Sequence, residues 1–196
     1  MLKAGDAAPA LRLPSAGGPD VALGDYRGRA HVVVWFSKGM ACPFCRTQMS
    51  HLGRAYPRLR GLNADVLHVT PTPPDRARMY HRRFRFEFPY LCDPEYATWQ
   101  AWGLALRPHT ARFLRHPDHP PSSRFGTVHQ SPQEWNQLMA EEDGGFFVVD
   151  RAGIIRHAQV GSVYAGGWRR LFPPVDAILQ IVRECELLEG PAPSSA

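Results

Sequence analysis

The fold is decided by residues 31–45, which read His31-Val32-Val33-Val34-Trp35-Phe36-Ser37-Lys38-Gly39-Met40-Ala41-Cys42-Pro43-Phe44-Cys45. The first six residues are almost continuously apolar and rich in β-branched valine, which is typical of a central strand covered on both faces. The apolar run breaks at Ser37, and a Cys-x-x-Cys motif follows after a short loop. We therefore predict a buried strand that leads within a few residues to a pair of cysteines.

A helix is predicted from the second cysteine onward. Apolar-leaning residues recur there at steps of four, three, four and three, namely Cys45, Met49, Leu52, Tyr56 and Leu59. Pro43 suits a first helical turn, because the N–H group that proline lacks would have no partner there. Cys42 is therefore placed at the N-terminus of this helix, and Pro57 is expected to kink or end it.

The other predicted elements complete a mixed α/β pattern. In chain order they are a small hairpin at 11–13 and 21–23, a strand at 64–70, a helix at 75–86, a strand at 88–91, a helix at 94–102, a helix at about 132–142, a hairpin at 146–149 and 154–160, and a helix from 174. This order predicts an α/β, thioredoxin-like fold in which a central mixed β-sheet is flanked by helices.

One domain is predicted over 1–190, with an N-terminal extension before the first core strand. A mid-chain insertion is predicted at about 107–143. Its first part, 107–130, holds four histidines and four prolines without clear periodicity, and we interpret it as a loop. The tail at 191–196 is rich in Pro, Ser and Ala and is predicted to be disordered.

The composition indicates an ordinary globular protein. The chain has 196 residues, of which 44% are hydrophobic, and no apolar run approaches the ~18 residues that a membrane span needs. The first six residues lack the apolar core of a signal peptide, so we expect a cytoplasmic location, where thiols are kept reduced. The net charge of +5 lies partly in the arginines of 76–85. We interpret these as a solvated helix face and expect neither a nucleic-acid nor a membrane partner.

The motif Cys42-Pro43-Phe44-Cys45 is predicted to carry the chemistry. A thiol becomes nucleophilic when it loses its proton, and a helix N-terminus favours the thiolate. Lys38 and Arg46 are close enough in sequence to add positive charge. Cys45, one turn further on, begins the apolar stripe, so we expect Cys42 to be an exposed attacking thiol and Cys45 a shielded one within reach of a sulfur on Cys42.

Two other uses of the cysteines compete with redox chemistry. A zinc site would need two more ligands, but Cys92 and Cys185 are isolated, and His116-x-x-His119 lies in a segment broken by prolines. A buried structural pair is the stronger alternative, because cysteine packs as a small apolar residue. Cys92 is interpreted as a buried thiol, with a second resolving role left open, and Cys185 as a core residue. The position of the motif between a strand and a helix favours redox chemistry.

Several stretches resemble the peroxiredoxin-like branch of the alkyl hydroperoxide reductase/thiol-specific antioxidant family. They are Gly5-Asp6-x-Ala8-Pro9-x-Leu11-x-Leu13, Val21-x-Leu23-x-Asp25-Tyr26-Arg27-Gly28, Trp35-Phe36 with Cys42-Pro43-Phe44-Cys45-Arg46, Phe88-Pro89-x-Leu91-x-Asp93-Pro94, and Gly145-Phe146-Phe147-Val148-Val149-Asp150-x-x-Gly153. The order of these stretches along most of the chain is more specific to the family than any single stretch is. The members that carry a Cys-Pro-x-Cys motif are the most similar.

The resemblance implies a thioredoxin fold and a peroxide-attacking thiolate at Cys42. It further implies a sulfenic acid that Cys45 resolves as an intramolecular disulfide, with no cofactor beyond that disulfide. A thioredoxin- or glutathione-type reductant is the implied partner, and a homodimer is left open. Three positions depart from the family pattern: Trp35 stands where the family has proline, Gly39 where it has threonine or serine, and Gly144 where it has arginine.

Two other functions stay open from the sequence. The first is a thiol–disulfide oxidoreductase that acts on protein disulfides, which the Cys-x-x-Cys spacing favours. The Thr-Pro that precedes the late strand in thioredoxins is absent here, where the chain reads Asp143-Gly144-Gly145. The second is a non-enzymatic relative of the fold, or a redox sensor, in which the thiols pack or react slowly.

Overall fold

The computed structural model describes residues 1–106, 131–132, 143–162 and 172–189. Within these residues the strands are β1 (Arg12–Leu13), β2 (Val21–Ala22), β3 (His31–Phe36), β4 (Ala64–Thr70), β5 (Tyr90–Cys92), β6 (Asp143–Val149) and β7 (Ile155–Ser162). The helices are α1 (Pro43–Arg60), α2 (Pro74–Phe84), α3 (Ala97–Ala101) and α4 (Val175–Glu189), and 3-10 turns lie at Leu23–Tyr26 and Gly39–Ala41. The predicted helix at about 132–142, most of the predicted insertion and the predicted tail lie outside the described residues.

A five-stranded mixed sheet forms the centre of the fold, in the order β5-β4-β3-β6-β7. Strands β3, β4 and β5 run parallel, whereas β6 and β7 each run antiparallel to the strand before them in this order. A separate ribbon joins β1 and β2. This arrangement confirms the predicted α/β, thioredoxin-like fold, with its central mixed sheet flanked by helices.

Each face of the sheet buries its own apolar cluster, because side chains alternate along a strand. Val33 and Trp35 of β3 pack on one face with residues of α1, α2 and α4. Val32 and Val34 pack on the other face, which the N-terminal segment and α3 cover. Every residue of β3 is at most 1% exposed. The prediction of a central strand covered on both faces is confirmed.

Helix α1 packs its apolar stripe against the sheet, as the periodicity predicts. Met49, Leu52 and Leu59 are at most 1% exposed, and Tyr56 is partly buried with its hydroxyl donating to the Asp65 carboxylate at 2.8 Å. The helix continues through Pro57 to Arg60, so Pro57 does not end it, and the alternative expectation of a kink at Pro57 stays a prediction.

Two boundaries differ from the predicted ones for local physical reasons. Helix α3 begins at Ala97 rather than at 94, because the Asp93 carboxylate accepts hydrogen bonds from its first N–H groups, including that of Trp99 at 3.0 Å. Strand β5 begins at Tyr90 rather than at 88, because its pairing with β4 starts there. None of the helices in the described residues is long and apolar enough to cross a membrane.

The turn between β3 and α1 is closed by a tyrosine from β5. Gly39 has a φ of +63°, a left-handed conformation that favours glycine. The Met40 N–H donates to the Tyr90 hydroxyl at 3.1 Å, and that hydroxyl lies 2.7 Å from the hydroxyl of Thr72. A Cβ atom at position 39 would collide with the Tyr90 hydroxyl and press on Thr70. The turn therefore requires glycine both for its backbone conformation and for the space that Tyr90 fills.

We expect Gly39→Ala to lower the free energy of unfolding by about 2–4 kcal/mol, through backbone strain and the collision with Tyr90. Tyr90→Phe alone removes the acceptor of the Met40 N–H and should cost about 1–3 kcal/mol. Urea denaturation of both single variants and of the double variant checks this. Because the phenylalanine leaves room for the added methyl group, the double variant should lose less than the sum of the singles. Strictly additive losses would show that the hydroxyl does not shape the turn.

Candidate active site

Cys42 forms the N-cap of α1. Its Sγ accepts a hydrogen bond from the Cys45 N–H at 3.3 Å, and its carbonyl accepts one from the Arg46 N–H at 3.0 Å. Pro43 lies in the first helical turn. A sulfur in this place meets backbone N–H groups that have no partner within the helix, together with the positive end of the helix dipole. Both features stabilise a negative charge on the sulfur.

Both cysteines of the motif are buried free thiols. Cys42 is only 2% exposed, so the expectation of an exposed attacking cysteine was wrong, although Cys45, at 0%, is the more buried of the two. Cys42 belongs to the same apolar cluster as Trp35, Met40 and Phe172. Phe172, from a distant part of the chain, packs edge-on against Trp35.

The pKa of the Cys42 thiol lies below its ordinary value. Burial opposes the charged form and by itself would raise the pKa. Hydrogen bonds from the thiol and the N–H of Cys45, the positive charge of Lys38 and the N–H of Phe44 together outweigh burial. Cys42 is therefore the thiol of the pair that ionises first.

The pKa of the Cys45 thiol lies well above its ordinary value. Burial is the main cause, and the hydrogen bond to Cys42 and the negative charge on Cys42 raise the pKa of Cys45 further. A hydrogen bond from Ser37 acts in the opposite direction. The two thiols therefore differ in protonation. Cys42 is the one that carries the negative charge, and Cys45 stays protonated as long as Cys42 is charged.

Lys38 and Arg46, the two predicted supporting cations, lie almost buried beside Cys42, at 3% and 9% exposure. The charge of Lys38 favours the Cys42 thiolate. Arg46 reaches back along α1, where its Nη1 donates to the Met40 carbonyl at 2.8 Å and lies 3.5 Å from the Ala41 carbonyl. Its guanidinium is also attracted to the Cys42 thiolate. Arg46 therefore holds the turn in place and adds positive charge to the site.

Sequence reasoning missed two polar side chains next to the cysteines. The Ser37 Oγ lies 2.6 Å from the His68 Nε2, and it accepts a hydrogen bond from the Gly39 N–H at 3.0 Å. One signal was present in the sequence, because His68 lies between Leu67 and Val69 in a predicted buried strand, where a polar group needs a partner.

His68 is fully buried and stacks on Trp35, with ring centroids 3.9 Å apart and an angle of 7° between the planes. Burial holds its pKa well below the ordinary value, so its imidazole is neutral at physiological pH. Phe88 and Tyr90 approach it edge-on. Trp35, at the position where the family has proline, thus serves as the platform that fixes this imidazole.

The other two cysteines are buried in the same apolar cluster as Cys42 and Cys45. Cys92 is 1% exposed, and burial raises its pKa to about 12, which agrees with its interpretation as a buried thiol. Cys185 is 1% exposed and packs in the core with residues of α4. Within the described residues, no group of three or more His, Cys, Asp or Glu side chains could hold a metal ion. The site that the structure describes is a pair of buried thiols with unequal acidity.

We expect Arg46→Gln to slow the reaction of Cys42 with iodoacetamide at pH 7 by at least about threefold, because it removes a positive charge from beside the thiolate. Absorbance of the thiolate at 240 nm, followed through a pH titration, should show Cys42 ionising at higher pH. Arg46→Lys is the matched control, since it keeps the charge. If Gln and Lys variants react alike, the charge of Arg46 does not act on Cys42.

Comparison with known proteins identifies the family. The AhpC/TSA family model matches residues 4–158 of this chain. A Mycobacterium tuberculosis protein that bears a peroxiredoxin name is 33% identical over 102 residues, covering 52% of this chain and 64% of that protein. Peroxiredoxin Bcp of Escherichia coli is 29% identical over 103 residues, covering 53% of this chain and 65% of that protein. The chain thus spans slightly less than two thirds of the length of these relatives.

A comparison with solved structures finds the same fold. The crystal structure of peroxidoxin BcpB from Mycobacterium tuberculosis superposes with a TM-score of 0.64 at 18% identity, covering 94% of this chain and 98% of that one. At this identity the likeness concerns the fold alone. The match to the family model extends over the strand, the turn, the Cys-x-x-Cys motif and the late hairpin, and the chain belongs to the AhpC/TSA family.

Proposed function

We propose that this protein is a thiol-dependent peroxidase that reduces hydroperoxides. Cys42 attacks the peroxide, and Cys45 resolves the product as an intramolecular disulfide. The observation that carries the proposal is the position of Cys42 as the cap of α1, where its Sγ accepts the Cys45 N–H at 3.3 Å. The lowered pKa of Cys42 and the raised pKa of Cys45 agree with Cys42 as the nucleophile. Membership of the AhpC/TSA family supports the same chemistry.

The proposed reaction has two chemical steps, attack on the peroxide and formation of the disulfide. The Cys42 thiolate attacks one peroxide oxygen, the O–O bond breaks, and the leaving alkoxide or hydroxide takes up a proton, which leaves a sulfenic acid on Cys42. The Cys45 thiol then displaces water from that sulfur and the disulfide forms. Lys38 and Arg46 place positive charge where the negative charge of the leaving oxygen develops. Gly39 and Gly144 supply no side-chain donor, so these two cations stand in for the side chains usual in the family.

The burial of Cys42 favours a small oxidant over a protein substrate. A sulfur on a residue that is 2% exposed can be reached by a molecule the size of hydrogen peroxide more readily than by a folded protein's disulfide. The second candidate function, thiol–disulfide exchange with proteins, rests on the Cys-x-x-Cys motif at a helix start. It would require the segment around Cys42 to open first.

A thioredoxin- or glutathione-type thiol is proposed as the reductant, because the disulfide must be reduced after each turnover and the chain needs no other cofactor for this cycle. The proposed location is the cytoplasm, where such reductants keep thiols reduced. The proposed site residues are Cys42 and Cys45, supported by Lys38, Pro43 and Arg46.

We expect the reduced protein to react with one equivalent of hydrogen peroxide faster than free cysteine does at the same pH, and to lose two hydrogens by mass spectrometry as the disulfide forms. Stopped-flow tryptophan fluorescence should follow the reaction through Trp35. Cys42→Ser should abolish it. Cys45→Ser should stop at a sulfenic acid on Cys42, seen as the gain of one oxygen and trapped by dimedone. A wild-type rate no faster than that of free cysteine would refute the peroxidase, and rapid insulin reduction would then favour the second candidate.

The pH dependence of the peroxide step should follow the ionisation of Cys42. The thiolate is the reactive form and the pKa of Cys42 is lowered, so the rate should rise with pH and level off at a lower pH than for free cysteine. Stopped-flow rates between pH 5 and 10, with free cysteine as reference, measure this. A plateau at or above the pH found for free cysteine would contradict the assignment of Cys42 as the activated thiol.

A further inference from the structure

The exposed face of α2 carries a cluster of arginines that the proposed reaction does not use. Segment 74–87 holds five arginines and only two carboxylates, Asp75 and Glu87. Four of these arginines lie exposed, and we call them the α2 basic face: Arg78, Arg82, Arg83 and Arg85. Because α2 has 11 residues and rises about 1.5 Å per residue, this face is a strip of positive charge about 16 Å long.

The charge of the α2 basic face is not neutralised within the protein. None of its four arginines forms an ion pair or a side-chain hydrogen bond with the residues that the structure describes. Arg60, by comparison, lies 2.9 Å from the Asp65 carboxylate. Arg78 and Arg82 are four residues apart on the helix, a spacing at which like charges repel each other. An anionic surface that covers this face therefore removes an unfavourable interaction.

The N-terminal end of α2 lies beside the turn that precedes Cys42. The hydroxyl of Thr72, two residues before the helix, is 2.7 Å from the Tyr90 hydroxyl, which accepts the Met40 N–H at 3.1 Å. Tyr80 of α2 is buried in the same apolar cluster as Cys42. An ordinary protein interface takes about 800 Å² from each partner, which is enough to cover both α2 and this turn. A protein bound to the α2 basic face therefore reaches the surface next to the thiol pair.

We propose that the α2 basic face is the docking surface for the reductant of the Cys42–Cys45 disulfide, and that this reductant is a protein with an acidic surface beside its dithiol. The inference rests on the disulfide of the proposed function, which must be reduced in each cycle. Opposite charges raise the rate of encounter by about tenfold or more at low salt. Docking also keeps the dithiol close to a sulfur that, at 2% exposure, is rarely met by random collision.

The exchange moves two electrons from the reductant to the disulfide. A thiolate of the reductant attacks the Cys42 sulfur, which is the more exposed of the pair. The Cys42–Cys45 bond breaks, and its electron pair leaves with the Cys45 sulfur, which takes up a proton. The second thiol of the reductant loses its proton and attacks its partner sulfur in the mixed disulfide, and Cys42 leaves as a thiolate. The reductant ends as a disulfide, and the protein ends with both cysteines reduced.

Two synthetic peptides test the charge of the partner. Both contain Trp-Cys-Gly-Pro-Cys, which four glutamates flank in one peptide and four lysines in the other. The Cys42–Cys45 disulfide is formed with diamide, and its reduction by each peptide is followed by acid quenching and mass spectrometry. We expect the acidic peptide to react at least about tenfold faster than the basic one in about 20 mM NaCl. Most of this preference should disappear in about 500 mM NaCl, where charges are screened.

A variant of the α2 basic face shows whether this preference arises there. It combines three substitutions: Arg78→Gln, Arg82→Gln and Arg83→Gln. We expect it to react at least about fivefold more slowly with the acidic peptide at low salt, because attraction to the docking surface is lost. Its reduction by uncharged dithiothreitol should be unchanged. Comparison with a single peptide cancels the intrinsic reactivity of that peptide's thiols.

The matched control removes the same net charge from the segment that covers the other face of the sheet. It combines three substitutions of exposed arginines: Arg12→Gln, Arg27→Gln and Arg29→Gln. We expect this control to keep the wild-type rate with the acidic peptide. Equal slowing of the control and the α2 variant would show an effect of net charge alone and would overturn the proposal. The absence of any salt-sensitive preference for the acidic peptide would overturn it as well.

Two further outcomes separate the alternatives. A fluorescein-labelled DNA strand of about 20 nucleotides that binds the wild type but not the α2 variant, with no preference between the peptides, would assign the face to nucleic acid and overturn the proposal. Formation of the disulfide with diamide makes the test independent of peroxide. Reduction that depends on the α2 basic face, in a protein unreactive towards peroxide, would support this inference while the proposed peroxidase fails. Peroxide turnover with dithiothreitol, without any effect of the α2 variant on reduction by the acidic peptide, would show the reverse.

Discussion

The bond from the Cys45 N–H to the Cys42 Sγ, at 3.3 Å, is the interaction on which the rest of the site depends. It makes the attacking sulfur the cap of α1, so that the first turn of the helix is complete only when an acceptor occupies that position. The same bond places the second cysteine in the first turn of the helix, three residues after the first. Helix capping and the pairing of two redox groups are therefore one structural feature, and its stability benefits from negative charge on the cap.

Burial alone would cancel the stabilisation that the helix N-terminus gives to the Cys42 thiolate, because an environment of low polarity disfavours the charged form. The fold compensates by burying cations and donors with the sulfur. Lys38 and Arg46 are charged residues that proteins rarely bury, and here they border an anion. Arg46 also donates to the Met40 carbonyl, so the residue that balances the charge is the one that fixes the turn. The electrostatics and the backbone geometry of the site thus rest on shared side chains.

The strand-to-helix junction that carries the motif could be predicted from the sequence, because the signals for it are local. The apolar run of β3, the stripe on α1 and the proline after Cys42 place the motif on a strand-to-helix junction without knowledge of any distant contact. The burial of Cys42 could not be predicted from these local patterns, because it depends on which distant segments of the chain pack over the motif. The contact of Ser37 with His68 depends on the register that pairs Trp35 with His68, and hydrophobic pattern alone does not give register between parallel strands.

The departures from the family pattern at positions 35 and 39 can be explained by the side chains that pack next to them. A side chain at position 39 would collide with the Tyr90 hydroxyl, which accepts the Met40 N–H instead. A proline at position 35 could not provide the flat ring on which His68 stacks. Trp35 and Gly39 each accommodate a side chain from a neighbouring strand, His68 of β4 stacked on the indole ring and Tyr90 of β5 against the turn. The turn before Cys42 is therefore held by contacts across the sheet rather than by the side chains usual in the family.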